Sequence, residues 1–142
     1  MKKILALIVF SLNFHADLVL EITESASKPI KIAILEKNNN SLAGQEIIEI
    51  VRNDLLRTGE FDVVANDELL SIPSNEDEVI QRDWLLLDVD SIVFIDVQSE
   101  ENNLDISYSI FDISYNDTED KRRVLGLPES LRQSSHYVSD GI

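Results

Sequence analysis

The chain has two histidines, and only His136 lies beyond the first 16 residues. Arg132, His136 and Asp140 recur at i, i+4 and i+8, which places all three on one face of a helix. One imidazole with one carboxylate closes no four-ligand zinc shell, and a lone histidine cannot form an acid/base pair or complete a nucleophilic triad on this spacing. The trio reads as packing or surface polarity. The run DVDSIVFID starts like a calcium loop, but it lacks the central glycine and the twelfth-position glutamate and passes straight into a strand. No cysteine is present, so disulfides, thiolate metal ligands, a cysteine nucleophile and a lipoprotein attachment site are all excluded. Gly44, Gly59, Gly126 and Gly141 are too scattered for a phosphate loop. Asn116, Asp117 and Thr118 fit a glycosylation acceptor, which hairpin-turn chemistry explains equally well. With 27 acidic residues, paired carboxylates arise by chance. A secreted acidic hydrolase would need two of them in a cleft, one with a raised pKa, and little of that checklist is met. The expectation is a protein that is not an enzyme and carries no cofactor or metal.

The formal charge of −15 repels phosphate backbones and anionic membrane surfaces, so nucleic acid is a poor partner. A basic protein partner would be steered toward the chain, although acidity also serves solubility. At 142 residues with 44% hydrophobic content, the chain can bury one real core.

The first residues, MKKILALIVFSLNFHA, read as a signal peptide over residues 1–16. Lys2 and Lys3 form its charged start, and residues 4–12 an apolar run far short of the ~20 residues that cross a bilayer. An amphipathic first strand or helix is the alternative. Cleavage after Ala16 would expose Asp17 and remove two lysines and no acidic residue, leaving −17.

The elements that must hold these residues follow from hydrophobic period. PIKIAILE (residues 29–36) is a nearly continuous apolar, β-branched run, expected for a strand covered on both faces. KNNN makes a turn, and residues 41–58 carry Ile47, Ile48, Val51 and Leu55 as one helical stripe. Gly59 stands where a helix needs positive φ at its end. FDVVA (residues 61–65) is the next strand, so the unit predicts a right-handed crossover and a parallel pair. Residues 66–71 could add a helical turn. Ser74, with Asp77 three residues on, opens a second helix over about residues 75–87, with Trp84 as its core anchor. Residues 91–100 and 104–114 form a hairpin through ENN, the second strand alternating with one wet face. YNDTED turns into a last strand, KRRVLGL (residues 121–127), and Pro128 opens a final helix. The expected fold class is α/β, with a mixed sheet of about five strands and two main helices.

Several of these pieces together resemble the TolB family, in its amino-terminal domain. They are an isolated strand behind the signal, a polar spacer and PIKIAIL, followed by IVRNDLLRTGEFDVV. The latter carries Asp54, Leu55, Thr58, Gly59 and Phe61 at the family's Asp-Leu, Ser/Thr-Gly and Phe positions. Trp84, Leu87, Val89 and Asp90 form the third piece, and LRQSSHYVSD, with its Leu-Arg, His and Asp, the fourth. The match runs in order over nearly the whole chain after residue 16. Asp88 and Asp96 stand where the family usually has glycine, and aspartate at position 88 tolerates a left-handed conformation better than most residues. The family continues its last helix through a Thr-Gly into a β-propeller, whereas Gly141 interrupts the helix here. A truncated remnant without independent function is therefore an alternative reading.

The resemblance implies a periplasmic protein–protein interaction module of the Tol–Pal envelope system, serving outer-membrane integrity, cell division and translocation. In the family the lipoprotein Pal binds the propeller, so Pal binding is not carried over. The extreme amino-terminal segment binds the carboxy-terminal domain of TolA. That segment corresponds here to Asp17, Leu18, Val19, Leu20, Glu21, Ile22 and Thr23. The implied organisation is a signal over residues 1–16, a partner-binding arm and spacer over 17–28, and an α/β domain over 29–142, acting as a monomer. The residues themselves agree. Leu18, Leu20 and Ile22 lie on one side of an extended chain, and Val19, Glu21 and Thr23 on the other, as a strand added to a partner's sheet edge requires. Asp17 and Glu21 would favour a basic rim on that partner. The alternative is a strand that pads this domain's own sheet.

Overall fold

Residues 28–37 and 41–142 are described by the computed structural model. The expected signal (residues 1–16), the expected arm (residues 17–23), residues 24–27 of the spacer and residues 38–40 of KNNN lie outside the described residues. β1 (Ile30–Glu36) leads into α1 (Leu42–Thr58), whose two ends are capped as its sequence demands. The Ser41 hydroxyl accepts from the Gly44 N–H at 2.9 Å, and the Glu36 carboxylate accepts from the Ser41 N–H at 3.0 Å. A Cβ at position 44 would come within 2.0 Å of that carboxylate, so glycine is what lets the acid reach the helix start. Gly59 ends α1 in the left-handed region at φ 73°.

β2 (Phe61–Val63), α2 (Gln81–Leu86), β3 (Ser91–Glu100), β4 (Asn103–Asp112), β5 (Asp117–Gly126) and α3 (Leu131–Ser139) follow, with short 3-10 turns between them. One five-stranded mixed sheet results, in the order β2-β1-β3-β4-β5. β1 runs parallel to both neighbours, and β3, β4 and β5 form an antiparallel meander. The fold is α/β as expected, and the third helix, α3, is the final one expected after Pro128.

Each face of the sheet builds its own core. On one face Ile47, Val51 and Leu55 of α1 and Val138 of α3 pack on Ile34, Ile95 and Ile106. On the other, Trp84 of α2 packs among Phe94, Phe111 and Ile113, and Trp84 is 1% exposed. The alternation in β4 follows from this division. Leu104, Ile106 and Tyr108 face the helix pair, and Phe111 faces Trp84.

Three expectations are corrected. The second helix is not continuous over 75–87: a 3-10 turn at Glu76–Glu78 is separated from α2 by Val79 (ψ 119°) and Ile80 (ψ 92°), both extended. Its first cap is Asn75, whose side chain accepts from the Asp77 N–H, while Ser74 donates its own N–H to Glu78. The turn is held to the sheet through Glu76, and α2 is held through Gln81, whose side-chain amide donates to the Ile113 carbonyl at 2.6 Å. The extended pair joins these two anchors. The last strand starts at Asp117, not Lys121, because β5 is an edge strand whose ladder to β4 needs backbone rather than apolar side chains. Asn116, at φ 54°, makes the turn before it. β2 closes at Val63 instead of Ala65, since the Val64 carbonyl accepts from Arg52 Nη1 at 2.8 Å.

Candidate functional site

The candidate binding residues Asp17, Leu18, Val19, Leu20, Glu21, Ile22 and Thr23 lie outside the described residues, but their point of attachment does not. Lys28 and Pro29 lead into β1 at the end of the sheet where β3 begins. There Lys28 is paired with the Asp88 carboxylate, and the Lys31 N–H donates to Asp90 Oδ2 at 2.8 Å. The Ile30 N–H donates to the Glu60 carbonyl at 2.9 Å. Asp88 occupies the left-handed region at φ 57°, the conformation expected where the family has glycine. Hydrogen bonding to Lys28 and the lysine charge hold the Asp88 carboxyl below its usual range. The described residues that enter β1, Lys28 to Lys31, are thus tied down by backbone and ionic bonds.

His136 has a partner from α1 rather than from its own helix face. Its Nδ1 lies 2.5 Å from Asp54 Oδ2, and the Ser139 hydroxyl donates to the same oxygen at 3.0 Å. Partial burial pushes the Asp54 carboxyl up, but the hydrogen bonds from His136 and Ser139 and the charges of His136 and Arg57 outweigh it. The result is a pKa below the usual carboxylate range. Serine, histidine and aspartate thus meet, yet both the serine and the imidazole address the carboxylate. Among the described residues no nitrogen bonds the serine oxygen to take its proton, so the geometry clamps α1 to α3 and does not activate a nucleophile. Single-residue periodicity missed Asp54 and Ser139. The usable signal was that Asp54 and His136 sit in two separate family-like motifs.

A second polar cluster lies on the Trp84 face. Glu76 accepts from Lys37 Nζ and from the Ser109 hydroxyl, each at 2.6 Å. Burial raises the Glu76 carboxyl, but these bonds, one from its own backbone and the Lys37 charge lower it to about 2. A carboxylate held ionised this firmly is a poor general acid. Among the described residues no group of three His, Asp or Glu side chains is placed to hold a metal ion, and Asp88, Asp90 and Asp96 do not form a calcium loop. No helix among the described residues is long and apolar enough to cross a membrane. A cavity of about 770 Å³ opens between β1, α1 and residues 66–74.

Comparison with known proteins covers most of the chain. The family profile of the TolB amino-terminal domain matches residues 18–118. The Tol-Pal system protein TolB of Marinomonas sp. is 29% identical over 139 residues, 95% of this chain and 32% of that protein. Its counterpart in Alcanivorax borkumensis is 25% identical over 94% of this chain and 31% of its own length. The chain spans about a third of the length of these relatives. Among solved structures, TolB from Acinetobacter baumannii superposes with a TM-score of 0.62 at 22% identity, over 80% of this chain and 27% of that one. The LpoB carboxy-terminal domain from Salmonella enterica shares the fold, with a TM-score of 0.55 at 12% identity over 73% of this chain and 87% of its own.

Proposed function

The chain belongs to the TolB amino-terminal domain family, and on that premise we propose that it is a protein–protein interaction module of the Tol–Pal envelope system. It works in the periplasm after export, and its arm, residues 17–23, pairs as an added strand with the carboxy-terminal domain of TolA. Through that contact it serves outer-membrane integrity, cell division and translocation. The observation that carries this reading is the reach of the family match: it begins at residue 18, so it takes in residues 18–23 of the arm as well as β1 to β4. Two further points support it. The arm is attached to a base anchored by Lys28–Asp88 and Ile30–Glu60. The clustered polar groups at Asp54 and Glu76 are consumed in holding elements together, which leaves recognition rather than catalysis as the work of the surface.

The test is calorimetric titration of the TolA carboxy-terminal domain into the exported form of the chain, with and without residues 17–23. Binding that disappears with the arm, in a protein that still unfolds cooperatively, is the expected result. Unchanged affinity without the arm removes this reading.

A further inference from the structure

Separately from the arm, we propose that the cavity beside β1 is a docking groove for a cationic, extended peptide segment of a partner protein, which adds to the sheet at Ile34 and Glu36. β1 is seven residues long, but β2 pairs with only Ile30, Lys31 and Ile32. Its backbone groups alternate in direction. The Lys31 carbonyl and the Lys37 N–H bond toward β3, at Asp90 and Ile95, whereas the Ile30 N–H and the Ile32 carbonyl bond toward β2, at Glu60 and Val64. The N–H and carbonyl groups of Ile34 and Glu36 therefore point to the β2 side, beyond the last residue that β2 supplies. The next ladder bond would take the Ile34 N–H to the Val64 carbonyl. Arg52 Nη1 holds that carbonyl instead, and Arg52 Nη2 holds Asn66 Oδ1 at 3.2 Å. The chain after β2 is thereby drawn toward α1, and a groove of about 770 Å³ remains where the sheet would have continued.

The chemistry of the walls selects the occupant. Ile34 and Leu35 form a buried floor; Ile48 and Ile72 supply apolar sides, and Ile72 is 67% exposed at the rim. Among the described residues the charged lining groups are Glu36, Glu49 and Arg52; the arginine is spent on Val64 and Asn66, and Glu36 Oε1 accepts from the Ser41 N–H and hydroxyl. The groove presents the Glu49 carboxylate and the second oxygen of Glu36, and among the described lining residues no cation is left over, within a chain of net charge −15. A strand with apolar residues toward Ile48 and Ile72 and lysine or arginine toward Glu36 and Glu49 fits this lining. The chain's own arm, with Asp17 and Glu21, brings like charge to it.

The probes are short peptides of alternating valine and lysine, or valine and glutamate, added to the isotope-labelled chain. NMR shifts and amide exchange are read at Ile34 and Glu36. The lysine peptide should shift both amides and slow their exchange by about tenfold or more at saturation, and the glutamate peptide should not. Glu49→Lys, an exposed substitution, should weaken the lysine peptide about fivefold or more. Three outcomes overturn the proposal: equal effects of both peptides, shifts confined to β5, or Ile34 and Glu36 amides that are already protected and become exposed when residues 17–23 are deleted. The last would make the arm the occupant.

Discussion

Asp54 on α1 and His136 on α3 meet with 2.5 Å between Oδ2 and Nδ1, although 82 positions separate them in the chain. The contact joins two helices whose apolar residues meet in one core, and Ser139 adds a second donor to the same carboxylate oxygen. His136→Ala and Asp54→Ala should each cost about 1–2 kcal/mol, and their double mutant should show a coupling of about 0.5–1.5 kcal/mol. Denaturant unfolding of the four proteins measures this. Additive costs would mean that the pair is only a neighbourly contact.

The Asp54 clamp also sets a pH dependence. Its folded pKa is depressed, so its contribution is complete above the ordinary aspartate value of 3.8 and is lost as pH falls through the folded value. Asp54→Asn should therefore be less stable than the parent at neutral pH and approach it on acidification.

Glu76 follows the same sign with a wider window. Its carboxyl stands at about 2 when folded against 4.5 ordinarily, so the stabilisation from Lys37 and Ser109 is complete above about pH 4.5 and drains away toward pH 2. Glu76→Gln should cost about 1–2 kcal/mol at neutral pH, a figure moderated for solvent near the ion pair. The stability curves of the two proteins, measured by thermal unfolding, should converge as pH falls.

Asp88 adopts φ 57°, where glycine is unstrained and alanine is not. Asp88→Gly should raise the thermal midpoint by about a few degrees, and Asp88→Ala should lower it. The ion pair to Lys28 is solvent-exposed and does not reverse that order. Equal midpoints for the two variants would mean that backbone conformation is not what position 88 demands.

For the arm, Val19→Pro or Leu20→Pro should abolish most TolA binding, because proline removes a ladder donor and fixes φ away from the flat strand value. Deleting residues 17–24 should change folding stability by no more than about 1 kcal/mol if the arm is free to bind a partner. Severe destabilisation would assign it to this domain's own sheet. Asp17→Lys or Glu21→Lys should slow association, and only at low salt.

Much of the fold was legible because it rests on local rules. The stripe Ile47, Val51 and Leu55 with Ser41 before it and Gly59 after it specifies α1 without reference to anything distant. β3, Ser91–Glu100, is where its apolar run lies, and β1 is where continuous β-branched residues predict a strand covered on both faces. Trp84 was readable as a core anchor, since an indole that large finds burial wherever its helix lands. The family-like motifs were legible too, as order and spacing.

What the tertiary structure decided was wherever a long-range partner outbid a local preference. EDEVIQRDW reads as one capped helix, but Lys37 and Ser109 take Glu76 and the Ile113 carbonyl takes Gln81, and the backbone extends at Val79 and Ile80 to satisfy both. DTED reads as a turn, but pairing to β4 makes it the start of β5, because an edge ladder asks only for backbone donors and acceptors. His136 reads as a polar group for packing or for solvent on its own helix, and the partner that makes it a packing group comes only when α3 packs across α1. Local period is set by residues a few positions apart, so a sequence displays it. A hydrogen bond across 82 residues exists only once the sheet has brought the two helices to the same face.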